Sequence, residues 1–222
     1  ATTLNITVWE MPVPTITGTD ETCAGICDGT IDLTVTGSGG YSYSWDNGAG
    51  NSEDPTGLCP NTYNVLITDI NGCQATASYT IGTTPALVLN ISGTDVLCNG
   101  GTASAVATAT GGTLPYTIDW GGADQNLLLA GTYTVVVTDD NGCTATESVT
   151  ITELAAIVTA SSSQTNVNCN GASTGAATIS VSGGNGVYTY TWTGSNSTTA
   201  TASNLAAGNY TVSVVDGHNC PD

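Results

Sequence analysis

One stretch recurs three times and limits what this chain can fold into. It reads LCPNTYNVLITDINGC from Leu58 to Cys73, LAGTYTVVVTDDNGC from Leu129 to Cys143, and LAAGNYTVSVVDGHNC from Leu205 to Cys220. In each copy a Tyr and the closing Cys lie ten residues apart: Tyr63 and Cys73, Tyr133 and Cys143, Tyr210 and Cys220. A fixed internal period means stacked supersecondary units rather than one large core. The closing cysteines are 143 − 73 = 70 and 220 − 143 = 77 residues apart. Units of that size bury a small core and usually need a covalent staple.

The runs within each unit alternate with period two, the mark of half-buried strands. Ile31, Leu33 and Val35 alternate with polar residues, as do Tyr63, Val65 and Ile67. Between them lie a Gly-rich turn and an aromatic run, Tyr41/Tyr43/Trp45, whose counterparts are Tyr116/Trp120 and Tyr188/Tyr190/Trp192. No stretch carries a helical period. Asn71-Gly72 and Asn141-Gly142 between alternating runs predict tight hairpins with both turn residues at positive φ. A Tyr opening a strand after a Gly-bearing corner resembles the tyrosine corner of immunoglobulin-like sandwiches, so Tyr63, Tyr133 and Tyr210 are the expected structural corners. Asn61 stands where the later units have Gly131 and Gly208, and Asn tolerates a left-handed backbone. The expected fold class is all-β: tandem small immunoglobulin-like (PKD-like) β-sandwiches, disulfide-stapled, in an extended rod.

The phase of the closing cysteines sets the expected boundaries. Residues 1–12 read as the last strand of a preceding repeat, with Val8 in register with Ile151. Residues 13–84, 85–154 and 155–222 are then repeats 1, 2 and 3, the third lacking its last strand. On this register the chain is a mature piece of a longer array.

Eight cysteines with recurring offsets point to an oxidising, extracellular compartment. Cys23, Cys98 and Cys169 occupy one phase and Cys73, Cys143 and Cys220 another. The pairing expected is one staple inside each repeat: Cys23–Cys73, Cys98–Cys143 and Cys169–Cys220. Cys27 and Cys59, peculiar to the first repeat, form a fourth pair. A four-thiolate zinc site from Cys23, Cys27, Cys59 and Cys73 is the rival reading; it lacks the close Cys-x-x-Cys pairs of zinc ribbons.

Charge narrows the partners. There are 18 acidic residues and no Lys or Arg, a formal charge of −18. Nothing in the chain can neutralise phosphates, which argues against nucleic acid and anionic membrane surfaces. No apolar run approaches the ~20 residues of a membrane span, so the chain is not expected to be membrane-inserted. A Lys–Asn isopeptide staple is impossible.

In order, the pieces Cys23-Ala24-Gly25-Ile26-Cys27-Asp28-Gly29, Gly39-Gly40-Tyr41-Ser42-Tyr43-Ser44-Trp45 and Leu58 to Cys73 resemble the SprB-type repeat. That family builds very long gliding-motility adhesins of Bacteroidetes. The resemblance covers essentially the whole chain. It implies a cell-surface location, type IX secretion and a place within a longer tandem array, with neighbouring repeats as partners and surface polysaccharide or a substratum as a further one. The third repeat departs from it, since Asp216-Gly217-His218-Asn219-Cys220 replaces D-x-N-G-C and leaves its turn geometry open. Polycystic-kidney-disease-type modules are more weakly similar and imply the same architecture.

Candidate sites each have a plainer reading. Trp45, Trp120 and Trp192 could stack on sugars, but alternating aromatics on a strand more often form sandwich core. Trp9 has no aromatic counterpart and is either a junction contact or a solitary surface residue. Asp69, Asp139, Asp140 and Asp216 at hairpin ends, with Asp20 and Glu21, are weak calcium candidates; Asp beside Asn-Gly ordinarily builds the turn. No cofactor is otherwise expected. His218 is the only His and has no partner base, and Asp46 and Asp119 fall at non-equivalent positions where the third repeat has Thr191 and Thr193. Enzymatic chemistry is therefore not expected. The reading is a tandem stalk and attachment segment of an extracellular adhesin or filament. The alternatives are carbohydrate-binding accessory modules and a filament subunit whose free first strand completes another copy. Binding specificity is expected in the loops after each Trp, which differ most.

Overall fold

A computed structural model describes residues Thr2–Asp222, and all of its regular structure is strand. The first repeat holds β1 (Val13–Thr19), β2 (Gly29–Thr36), β3 (Ser42–Trp45), β4 (Thr56–Leu58), β5 (Asn61–Thr68) and β6 (Gln74–Ile81). One sheet has the order β1-β2-β4 and the other β3-β5-β6. The second repeat holds β7 (Val88–Gly93), β8 (Ala105–Thr110), β9 (Thr117–Asp119), β10 (Gly131–Thr138) and β11 (Thr144–Ile151), with sheets β7-β8 and β9-β10-β11. The third holds β12 (Val158–Thr165), β13 (Gly175–Ser182), β14 (Tyr188–Thr193), β15 (Thr201–Leu205) and β16 (Thr211–Asp216), with sheets β12-β13-β15 and β14-β16. These are tandem immunoglobulin-like sandwiches, and the third has two strands where its predecessors have three.

Period-two alternation puts the core where the sequence places it. In the first repeat Ile31 and Leu33 of β2 and Tyr63, Val65 and Ile67 of β5 are buried with Trp45, Leu58 and Ile81. A second core joins Val96, Ala103, Ala105, Leu128 and Ile151, and a third joins Trp192, Ala202 and Leu205. Ile81 and Ile151 close the first two cores from the last strand of each repeat. A Cβ on Gly29 would meet Ile81 Cγ2 at 2.7 Å, so only Gly lets that strand end seat so closely.

The chain divides into two compact units that do not follow the repeat boundaries. One gathers the chain through Leu89 with Ala109–Ile118 and Val136–Thr146; the other gathers Asn90–Thr108, Asp119–Val135 and Glu147–Asp222. The second repeat is shared between them, one end to each.

Two expectations need correction here. Thr2–Trp9 is not a half-buried strand: no strand is assigned, and Leu4, Ile6 and Val8 are more than four-fifths exposed. Its counterparts β6 and β11 are strands because β5 and β10 pair with them, and among the described residues no strand pairs with Thr2–Trp9. Ala1, which belonged to the same expectation, lies outside the described residues. The hairpin turns also differ. Only Gly72 and Gly142 have positive φ, both +83°, while Asn71 and Asn141 do not. Asp69 N–H donates to the Cys73 carbonyl and Gly72 N–H to the Asp69 carbonyl, so one left-handed residue follows an ordinary turn. The third repeat keeps this geometry, because Asn219 takes the Gly position at φ +63°.

Candidate functional site

The corner positions one staple and fixes the strand that leads to the closing Cys. The hydroxyls of Tyr63, Tyr133 and Tyr210 donate to the carbonyls of Cys59, Leu129 and Ala206, at 2.9, 2.9 and 3.1 Å. Each reaches back four residues across the bend, the geometry of a tyrosine corner. A second tyrosine clasp recurs at the Gly-rich turn, where Tyr188 Oη donates to the Gly183 carbonyl at 2.6 Å and Tyr116 Oη does the same to Gly111.

The aspartates at the far end of the same strands serve the turn. Asp139 Oδ1 accepts the Cys143 N–H at 2.8 Å and its Oδ2 the Thr113 N–H at 2.8 Å. Asp216 does likewise, with His218 and Cys220 on Oδ1 and Asn185 on Oδ2. Asp69 Oδ1 takes Asn71 and Cys73, but its buried Oδ2 has no partner among the described residues. The Thr113 N–H is the largest influence holding the Asp139 carboxyl below the usual carboxylate range. Burial pushes the Asp216 carboxyl up, but the N–H groups of Cys220, His218 and Asn185 outweigh it and hold it low. Asp140 engages only through its backbone, N–H to the Thr113 carbonyl. Asp20 Oδ1 accepts the Gly82 N–H, and Glu21, itself buried, accepts the Gly25 N–H. These contacts are turn and strand-end caps. The described residues bring no three His, Cys, Asp or Glu side chains together in a metal-holding group.

The cysteines are joined differently from the sequence expectation. Cys27–Cys59 is present, but Cys23 bonds Cys143 and Cys98 bonds Cys220, leaving Cys73 and Cys169 free. The expected pairs Cys23–Cys73, Cys98–Cys143 and Cys169–Cys220 are therefore not formed, nor is the rival four-thiolate set. The reason is length. The early Cys lies before β2 at one end of the sandwich, and the closing Cys follows β5 at the other. The eight residues of β2 separate those ends by about 27 Å at ~3.4 Å per residue. A disulfide needs Cα atoms within ~7 Å. The early Cys meets the closing Cys of the next repeat instead, with Cα separations of 5.7 and 5.4 Å.

The two junctions are built alike. At the first, Cys143 Sγ lies 3.4 Å from the Thr22 carbonyl oxygen, which also accepts from Asn141 Nδ2 at 3.1 Å. At the second, Cys220 Sγ lies 3.3 Å from the equivalent carbonyl, that of Leu97. The strand that ends each repeat is capped by an Asp three residues before the early Cys. Asp20 takes the Gly82 N–H at 2.6 Å and Asp95 the Thr152 N–H at 2.8 Å. Beyond it, Glu153 Oε2 accepts the Gly100 N–H at 2.9 Å, tying the linker to the early-Cys turn. Carboxylate caps and staggered disulfides thus fix the junctions, and sequence reasoning missed the stagger.

The tryptophans divide. Trp45 and Trp192 are buried, and their Nε1 groups donate to the Ser52 and Thr199 carbonyls at 2.8 and 2.9 Å. Trp120 is half-buried against the second core. Trp9 is 55% exposed. Tyr43 of the aromatic run has its hydroxyl pushed up to about 12 by burial and by Glu53 beside it. Asp46 is bound through both oxygens by Asn64, and Asp119 caps the Gly121 N–H, so neither forms a carboxylate pair.

The model of the SprB repeat matches residues 15–50, 90–125 and 161–197. No curated protein matches the chain in sequence. Among solved structures it is similar to the N-terminal eight immunoglobulin domains of Down syndrome cell adhesion molecule, at 13% identity and TM-score 0.43. That alignment covers 94% of this chain and 35% of that one. It is also similar to the I67–I69 fragment of titin, at 10% identity and TM-score 0.43, covering 96% of this chain and 95% of that one. No helix among the described residues is long and apolar enough to cross a membrane.

Proposed function

Because the chain is a tandem array of SprB-type repeats, we propose that it is a load-bearing stretch of a long cell-surface adhesin, both stalk and attachment surface. The finer setting that fits such repeats is gliding motility in Bacteroidetes after type IX secretion, with neighbouring repeats as partners and surface polysaccharide or a substratum as the target. No enzymatic role is proposed: the carboxylates at the strand ends, Asp69, Asp139 and Asp216, are spent on backbone N–H groups, and its one His lies in a turn.

The observation that carries this reading is the overlap of the two long disulfide loops. Cys98 lies inside the loop closed by Cys23–Cys143, and Cys143 lies inside the loop closed by Cys98–Cys220. The shortest covalent path from Cys23 to Cys220 crosses one bond, runs between Cys143 and Cys98, and crosses the other. It contains 143 − 98 = 45 residue steps, against 220 − 23 = 197 along the reduced chain. At ~3.4 Å per residue, complete unfolding lengthens that span to about 150 Å when oxidised and about 670 Å when reduced. Such a segment keeps its reach under tension, which a stalk requires and an isolated binding module does not.

Single-molecule stretching of the chain held at its two ends, oxidised and reduced, tests the stalk. The short limit in the oxidised form supports it, and equal contour lengths refute it. Beads coated with the oxidised chain, scored for retention on glass and on polysaccharide films under flow, test adhesion. Retention no greater than that of uncoated beads removes the attachment role.

A further inference from the structure

In the third repeat a cleft of about 550 Å³ opens between the turn before β13, the loop after Trp192 and the end of β15, with Ser173, Asn196, Ser203, Asn204, Ala206 and Tyr210 on its walls. It stands where the first repeat has a disulfide. Ser173 lies four residues after the early Cys, the position of Cys27, and Ala206 lies four before the corner tyrosine, the position of Cys59. Cys27 and Cys59 bond across that gap in the first repeat, and the two small residues leave it open in the third. The second repeat has Thr102, Leu127 and Leu129 at the positions of Ser173, Asn204 and Ala206, so the polar set is peculiar to the third. The strand that closes a repeat does not build this place. In the first repeat β6 runs along β5 and seats Ile81 against Gly29, and the counterpart of Gly29, Gly175, is not on these walls.

Two backbone features shape the walls. Gly175 faces Leu205 and Ala176 faces Ser203, so Asn204 is an extra, bulged residue, and it takes φ +59°. The first repeat has the same bulge, where Gly29 faces Leu58 and Thr30 faces Thr56, with Gly57 between them at φ +72°. Gly adopts that conformation without strain, and bulges re-aim side chains. An Asn there adds an amide to the cleft at some backbone cost. At Gly194, φ +84°, a β-carbon would sit 3.3 Å from Tyr210 Cε1, so its absence leaves that edge of the ring uncovered.

The loop is braced from within. Ser197 Oγ and Thr199 Oγ1 donate to the Thr201 carbonyl at 2.6 and 2.8 Å, and Trp192 Nε1 donates to the Thr199 carbonyl at 2.9 Å. Ser173, Asn196, Ser203 and Asn204 take no part in that bracing, which leaves their polar groups for a ligand.

No ionised side chain lines the cleft. A charged ligand would lose water there without gaining a counter-charge, and an anion would also meet the formal −18 of the chain. Hydroxyls and side-chain amides offer donors and acceptors together, which matches the vicinal hydroxyls of a neutral sugar, and the volume is that of a small-ligand site. We propose that this cleft binds a neutral oligosaccharide, with Asn196 and Asn204 holding ring hydroxyls and Tyr210 beside the apolar face of the sugar. The site rests on the attachment role proposed above and gives that role a ligand class and a place.

The test titrates the full oxidised chain calorimetrically with neutral hexasaccharides of glucose, mannose, xylose and N-acetylglucosamine, and with an anionic one of galacturonate. Saturable binding of at least one neutral probe, and none of galacturonate, is expected. Asn204→Gly restores the residue type of the first repeat and should weaken that binding about tenfold, with a melting temperature unchanged or higher. Asn196→Ala, in an exposed part of the loop, should weaken it similarly, and N196A/N204G should abolish it. Binding of no neutral probe, tighter binding of galacturonate, or a double variant that binds as the unmodified chain does would each overturn the proposal. Bead retention under flow separates the site from the adhesion reading. Retention on polysaccharide that survives N196A/N204G overturns the cleft and spares the attachment role, whereas cleft-dependent titration without retention supports the cleft and removes that role.

Discussion

Replacing Cys143 by Ser separates the staggered arrangement from any pairing confined to one repeat. In the structure Cys143 holds Cys23 of the preceding repeat across a sequence separation of 120 residues. Closing a loop of that length removes about 5 kcal/mol of chain entropy from the unfolded state, in the entropy model of disulfides. With a urea dependence of about 2 kcal/mol per molar, the unfolding midpoint should fall by roughly 2.5 M. Trp fluorescence is a suitable signal, because Trp45 is buried in the core of the first repeat, which does not itself contain position 143. Cys73→Ser, in contrast, removes a thiol that is free in the single chain and should move the midpoint by less than about 0.5 kcal/mol equivalent. The double variant C23S/C143S should match C143S, which controls for the stray thiol left on Cys23. The reasoning fails if C73S is as damaging as C143S, or if C143S leaves the Trp45 transition in place.

Other consequences are smaller in scale. Tyr63→Phe strands the Cys59 carbonyl beside a buried ring and should cost about 1–2 kcal/mol in thermal or urea unfolding. Tyr133→Phe and Tyr210→Phe, at half-buried sites, should cost less. Asn219→Ala keeps a β-carbon at φ +63° but loses the short polar side chain that lets Asn tolerate that conformation, and should destabilise the third repeat by about 1 kcal/mol, whereas Asn219→Gly should be tolerated; proteolysis of the last hairpin distinguishes them. The pH dependence has a definite sign. The Asp95, Asp139 and Asp216 carboxyls are held below their ordinary value, so the stability they supply is complete above the unfolded value of about 3.9 and is lost as pH falls through their lower native values. Melting temperatures should therefore drop steeply only below about pH 4, and Asp139→Asn together with Asp216→Asn should flatten that drop.

Much of the fold is legible because sandwich strands alternate with period two and the chain repeats itself. β2, β5 and β10 fall on the runs that alternation marks, and the tyrosine corners fall two residues after Asn61, Gly131 and Gly208. The disulfides show where that reasoning stopped short. Each full-length crossing carries the chain from one end of a sandwich to the other, while the three-residue β4 stays at one end beside Gly29 and Thr30, so the parity of crossings between two cysteines decides whether they share an end. Between Cys27 and Cys59 the chain crosses on β2 and returns on β3, and those two meet. Between Cys23 and Cys73 it crosses a third time on β5, which puts them at opposite ends. The alternating runs held that count; pairing by sequence proximity ignored it.

Other details lay beyond any local pattern. Thr2–Trp9 has the pattern of a strand, but a strand forms only against an edge, which a pattern cannot supply. Asn71-Gly72 marks a turn correctly, yet the choice of one positive-φ residue rather than two is made by Asp69, whose carboxylate takes the N–H groups of Asn71 and Cys73. The junction caps at Asp20, Asp95 and Glu153 look like ordinary polar linker residues until the neighbouring strand end is in place.

The central claim is that each repeat is stapled to the next one, and disulfide mapping of the oxidised chain tests it most directly. The chain has no Lys or Arg for trypsin, so chymotrypsin and a Glu-specific protease would be used on alkylated, unreduced monomer. The structure predicts linked peptides containing Cys23 with Cys143 and Cys98 with Cys220, and alkylated Cys73 and Cys169. Peptides joining Cys23 to Cys73 and Cys98 to Cys143 would contradict it.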